Sequence, residues 1–123
     1  MALTSETKIY NDLFKMSIYL FDLTRKLPKD VKPSLGRRIE NTLLDMADLV
    51  VDANSRETGE ERLRLEDLRT MRKKYERLQF LVNLCVNLRH FSIKQQAAIA
   101  VMMTPIGKQL SGWMKHVKMT MGV

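Results

Sequence analysis

The side chains in this sequence best suited to chemistry are its cations. Residues 68–123 hold ten of them: Arg69, Arg72, Lys73, Lys74, Arg77, Arg89, Lys94, Lys108, Lys115 and Lys118. Only one acid, Glu76, stands against them. Residues 1–67 carry eleven Lys/Arg and thirteen Asp/Glu and are close to neutral. The net charge of +7 therefore hides a surplus of nine in one half of the chain. Such a field attracts phosphates, and binding to a polyanion would weaken steeply with salt as counterions are released. A single exposed cation is commonly just a solvated helix face or a weak ion pair. It is the asymmetry of the whole segment that points to nucleic acid. Aromatics able to stack on bases are sparse here (Tyr75, Phe80, Phe91 and Trp113), and Tyr75 falls among core positions. Contact with the phosphate backbone is thus expected over base readout.

Catalytic and metal chemistry find little to work with. Cys85 is the only cysteine, which excludes an internal disulfide and a multi-cysteine zinc site. Its apolar register reads as a buried structural thiol rather than a nucleophile. His90 and His116 fall near the ends of helical patterns, where a cationic side chain suits the carbonyl end of the helix dipole. Asp45, Asp48 and Asp52 are about a turn apart, yet no Glu-x-x-His motif accompanies them, and a metal-holding bundle requires such pairs from several helices. They read as a wet acidic stripe or a docking strip for a basic partner protein. Gly36, Gly59, Gly107 and Gly112 form no phosphate loop, and Gly112 beside Trp113 suggests close helix packing. Nine methionines are many for 123 residues and suit core filling or adaptable interfaces. No enzyme, cofactor or metal is expected.

Helices must position the cations. At 123 residues, 45% apolar and 28% charged, the chain has the length and balance of one globular domain, 1–123. Five glycines and three prolines are too few for a sandwich or barrel. Helix 1 is expected over residues 5–27, with Ile9, Leu13, Met16, Leu20, Leu23 and Leu27 at helical steps and Thr4 or Ser5 as cap. Tyr10, Phe14, Ile18 and Phe21 form a second apolar face, which suggests a neighbouring helix or subunit. The segment PKDVKPS (28–34) breaks the chain, with Asp30 or Ser34 as the next cap. Helix 2 runs to about residue 53 on Leu35, Ile39, Leu43, Met46, Val50 and Ala53. After the polar loop 54–59, helix 3 spans 60–90 with Leu68, Met71, Tyr75, Leu78, Val82, Cys85 and Leu88 at heptad-like spacing. Ser92 and Gln95 make a capping box for helix 4, about 93–119, which Pro105 should kink or split. Four helices with three short connections predict an all-α, up-down-up-down antiparallel four-helix bundle. No stretch approaches a membrane span, and MALTSETKIY lacks the layout of a signal peptide. A cytoplasmic protein is the expectation.

Three stretches carry a resemblance. LPKDVKPSLGRRIENTLLD (27–45), LRHFSIKQ (88–95) and IGKQLSGWMK (106–115) resemble segments of the accessory variability determinant proteins of diversity-generating retroelements. That four-helix-bundle family also includes proteins encoded by intervening sequences of ribosomal RNA genes. The latter branch carries a SIPSNIAEG-type segment in helix 2. This chain reads NTLLDMADLVVDA there, which favours the retroelement branch. The resemblance implies a homopentameric barrel with a basic surface that partners a reverse transcriptase and binds RNA or cDNA during mutagenic copying, without being an enzyme. Relatives often carry arginines at the positions aligned with Gln79 and Asn83, and here both are neutral. The cationic cluster lies earlier, at Arg69 to Arg77. The alternative expectation, from the two-faced helix 1 and the acidic stripe, is a self-assembling scaffold that docks a protein partner and binds no nucleic acid.

Overall fold

The computed structural model describes residues 3–4 and 7–122, and within them the fold is all-helical. The elements are α1 (Lys8–Arg25), a short π-helical turn (Lys32–Gly36), α2 (Arg37–Ser55), α3 (Glu61–Asn87) and α4 (Ile93–Met121). Each helix packs on the next, and α1 also packs on α4, so the four close into a bundle around one core. Every apolar residue expected on the α1 stripe is buried, and so are Ile39, Leu43, Met46, Val50 and Ala53 of α2. Recurrence at three and four residues keeps each stripe on one side of a 3.6-residue helix, and burying that side is what holds these helices together. No helix among the described residues is long and apolar enough to cross a membrane.

The helix ends differ from expectation in instructive ways. α1 is capped by Thr7, whose hydroxyl accepts from the Tyr10 amide, and Thr4 instead supplies a carbonyl to Thr7. Ser5, the other expected cap, lies outside the described residues. Neither Asp30 nor Ser34 caps α2. The π-turn feeds straight into α2, so the α2 amides already have helical partners and need no side-chain cap. α3 stops at Asn87, three residues short of the expected end. There the His90 amide donates to the Cys85 carbonyl at 2.8 Å and the Arg89 amide to Val86 at 3.0 Å. These are the paired bonds of a Schellman turn, with Arg89 in the left-handed position at φ 65° where glycine is usual. Leu88, expected in the core, is consequently 51% exposed. The capping box at Ser92 and Gln95 forms in both directions.

Pro105 does not split α4, which is continuous from Ile93 to Met121. Close packing falls at Gly107, not at Gly112. A Cβ on Gly107 would stand 2.6 Å from the Tyr75 hydroxyl, whereas one on Gly112 would meet nothing within 4 Å. Tyr75 is fixed there because its hydroxyl donates to the Met103 carbonyl at 2.9 Å. Burial pushes its ionisation upward, so the phenol keeps the proton this bond needs.

The two glycines therefore respond in opposite directions. Gly107→Ala should destabilise the bundle by roughly 1–3 kcal/mol, the usual cost of overpacking. Gly112→Ala should stabilise it by roughly 0.5–1 kcal/mol, the propensity difference at an exposed helix interior. Chemical denaturation of the two variants checks both signs.

Candidate nucleic-acid interface

The run Arg72, Lys73, Lys74 points in three directions, because consecutive helical residues are about 100° apart. Arg72 turns toward α4. Its guanidinium donates to the Gly107 carbonyl at 3.2 Å and to the Ser111 hydroxyl, and it lies 5.3 Å from the centre of the Tyr75 ring. Lys74 turns toward α2 and pairs with Asp45 at 3.1 Å. Only Lys73 faces outward, in line with Arg69 and Arg77. These three are exposed, and among the described residues no hydrogen bond or ion pair holds them. They recur every four residues on the side of α3 opposite its core stripe. Phe80 continues the row three residues later and is 66% exposed. Glu66 and Glu76 are the exposed acids near it.

The α4 cations divide into two groups. The bonds from Arg72 to Gly107 and Ser111 set Lys108 level with Lys73, on the exposed side of α4. Lys115 is exposed one turn beyond Ser111, and Lys118 is half-buried near the helix end. Lys94 opens α4 and Arg89 precedes it in the turn. Both are exposed at the other end of the α3–α4 pair, where Gln96 donates to Asn83 at 2.9 Å. The structure thus brings Arg69, Lys73, Arg77, Lys108 and Lys115 to neighbouring exposed faces, engages Arg72 and Lys74 internally, and leaves Arg89 and Lys94 apart.

Gln79 and Asn83, where the resemblance leads to arginines, line a neutral groove of about 550 Å³ between α3 and α4 with Ile93, Gln96 and Thr104. Phe91 is buried, while Phe80 is the aromatic that stands clear on the basic side. Its sequence signal was its place on the polar stripe of α3 rather than the apolar one.

Elsewhere the chemistry is quiet. Asp45 is paired with Lys74, and Asp48 and Asp52 are exposed. Among the described residues no group of three or more His, Cys, Asp or Glu is arranged to hold a metal ion. Cys85 is fully buried, and that burial pushes its thiol pKa up, away from reactive thiolate. The hydrogen bond from Lys8 holds the Asp12 carboxyl below its ordinary range, and Gln109 of α4 donates to the same group at 2.7 Å. A second exposed feature is apolar. Phe14 and Ile18 of α1 and Leu44 and Val51 of α2 are all exposed, with Phe14 stacked on Tyr10 at 6.2 Å between ring centres.

A family model described as bAvd-like matches residues 5–117 of the chain. No curated protein matches it.

Arg72 should behave as a structural residue and Lys73 as a surface one. Arg72→Met, which loses two hydrogen bonds and a cation–π contact, should cost roughly 1–2 kcal/mol of stability. Lys73→Gln should stay within about 0.5 kcal/mol of the parent. Denaturant midpoints of the two variants check this. Modification of Cys85 by an aromatic disulfide reagent should be slow in native protein and should track unfolding as denaturant rises.

Proposed function

The chain belongs to the bAvd-like family, and from that membership we propose that it is the accessory protein of a diversity-generating retroelement. In this reading it binds template RNA or cDNA and a reverse transcriptase, and it supports mutagenic copying without catalysing it. The observation that carries the nucleic-acid part is the row Arg69, Lys73 and Arg77, exposed and without a hydrogen-bond or ion-pair partner among the described residues. An arrangement of free cations in a row suits a phosphate backbone, and it needs no base-specific geometry. Lys108 and Lys115 extend the same positive face.

The working form in this proposal is a cytoplasmic homopentamer of up-down-up-down bundles. The antiparallel course is supported by the order of cross-helix bonds: Asp45 with Lys74 and Arg56 with Asp67, then Arg72 with Gly107 and Asn83 with Gln96. Self-association is supported by Phe14, Ile18, Leu44 and Val51, since four large apolar side chains exposed on adjacent helices suit burial by another subunit. A bend in α4 is supported by Pro105, which cannot donate to the Val101 carbonyl four residues earlier. The same apolar face favours the second reading, a scaffold that assembles and docks a protein but binds no nucleic acid.

Titrating template-length RNA at rising salt separates the two. The logarithm of affinity should fall linearly with the logarithm of salt, by about 0.7 per phosphate contact on single strands. Reversing Arg69, Lys73 and Arg77 to Glu should weaken binding at least tenfold and flatten that slope, with the mass by light scattering unchanged. Absence of binding at low salt, or binding indifferent to both salt and reversal, would leave the scaffold reading.

A further inference from the structure

We infer that Phe80 is a stacking platform for a nucleobase, which makes the basic row of α3 a site for single-stranded nucleic acid rather than duplex. The inference rests on the nucleic-acid reading above and names the form of polymer that the row accepts.

The geometry is that of one continuous strip. Arg69, Lys73 and Arg77 rise along α3 in steps of about 6 Å, and Phe80 lies about 4.5 Å beyond Arg77 along the same axis. The three cations have no partner among the described residues, and the Phe80 ring is 66% exposed. Burial elsewhere accounts for every other aromatic of the basic half. Tyr75 and Phe91 are buried, and Trp113 is half-buried against the core. Phe80 alone stands on the outer face, directly after a row of cations.

Chemistry selects the occupant. A large apolar ring left in water beside free cations fits a ligand with a flat face and a line of negative charge. A single strand offers both, since its bases are free to splay onto an aromatic ring while phosphates follow the cations. A duplex keeps its bases stacked internally and offers a row of this kind only its phosphates. The neighbouring Glu66 and Glu76 do not cancel three cations. A second copy of this chain is the less fitting occupant, because the larger apolar face, on α1 and α2, lies away from this row and carries no such surplus of cations.

The test uses full-length protein and fluorescently labelled oligonucleotides: a single-stranded RNA, a single-stranded DNA and a duplex of equal length. Phe80→Ala should weaken both single strands by about tenfold and the duplex by less than twofold, with unchanged mass by light scattering and an unchanged denaturation midpoint. Phe80→Trp should restore single-strand affinity. In a Trp113→Phe background, its emission should be quenched by single strands and not by duplex. Equal losses for single strands and duplex, no loss at all, or a change in mass that places Phe80 in an intersubunit contact would each overturn the inference. If Phe80→Ala is silent while reversal of Arg69, Lys73 and Arg77 abolishes binding, only the stacking role fails. If that reversal is silent as well, the nucleic-acid reading fails with it.

Discussion

The seam between α3 and α4 is the constraint on which the arrangement of cations depends. α4 can lie against Tyr75 only because residue 107 has no side chain, and the Tyr75 hydroxyl then reaches the Met103 carbonyl one turn earlier. Arg72 closes the seam by bonding the Gly107 carbonyl and Ser111 while its guanidinium lies over the Tyr75 ring. These groups lie within two turns of Pro105, where the helix lacks one of its own hydrogen bonds. Packing from α3 thus supports α4 where its internal ladder is weakest. The same bonds fix the register that sets Lys108 level with Lys73.

A second set of polar contacts holds α2 to α3. Arg56 and Asp67 form a two-pronged pair at 2.8 and 3.2 Å, and Arg64 donates to the Ala53 carbonyl at 2.9 Å and to the Arg56 carbonyl. The Ala53 carbonyl, one of those at the end of α2 with no intrahelical partner, and the carbonyl of the C-cap residue Arg56 are thereby satisfied by a side chain of the next helix. Farther along, Lys74 reaches Asp45. At the α1–α2 side the buried Thr24 hydroxyl donates to Glu40 at 2.6 Å. The acids of the near-neutral half are therefore partly consumed in joining helices, while Arg69, Lys73 and Arg77 of the other half have no partner among the described residues.

The net charge is better understood through this division than through its total. Of the three adjacent cations at 72–74, two are held by other helices and one has no partner among the described residues, although all three have the same charge and nearly the same neighbours in sequence. The cations on α3's outer row, Arg69, Lys73 and Arg77, have no ion-pair partner on another helix among the described residues, and Glu66 and Glu76 are the exposed acids near them. The exposed apolar residues Phe14, Ile18, Leu44 and Val51 lie on α1 and α2, so the apolar and the cationic surfaces fall on different helices of one small bundle.

Much of this was legible in the sequence. The stripes on the first three helices, the polar break after α2, the Ser92–Gln95 capping box and the basic bias of the second half follow from local periodicity and side-chain chemistry. One turn of helix is enough to express them. What the sequence could not reveal was which element stands opposite each position. Gly107 and Gly112 are both helical glycines, yet only the first faces Tyr75. Leu88 keeps the apolar spacing of α3, yet the chain turns at Asn87 and leaves it in water. Phe80 and Phe91 are both aromatic residues of the basic half, yet one is exposed and the other buried. The stripe itself is a property of a single helix, and so the sequence by itself determined the elements and their inward faces. Which cations are free, which glycine is indispensable and which ring meets solvent depend on two helices at once, and only their packing in three dimensions decided them.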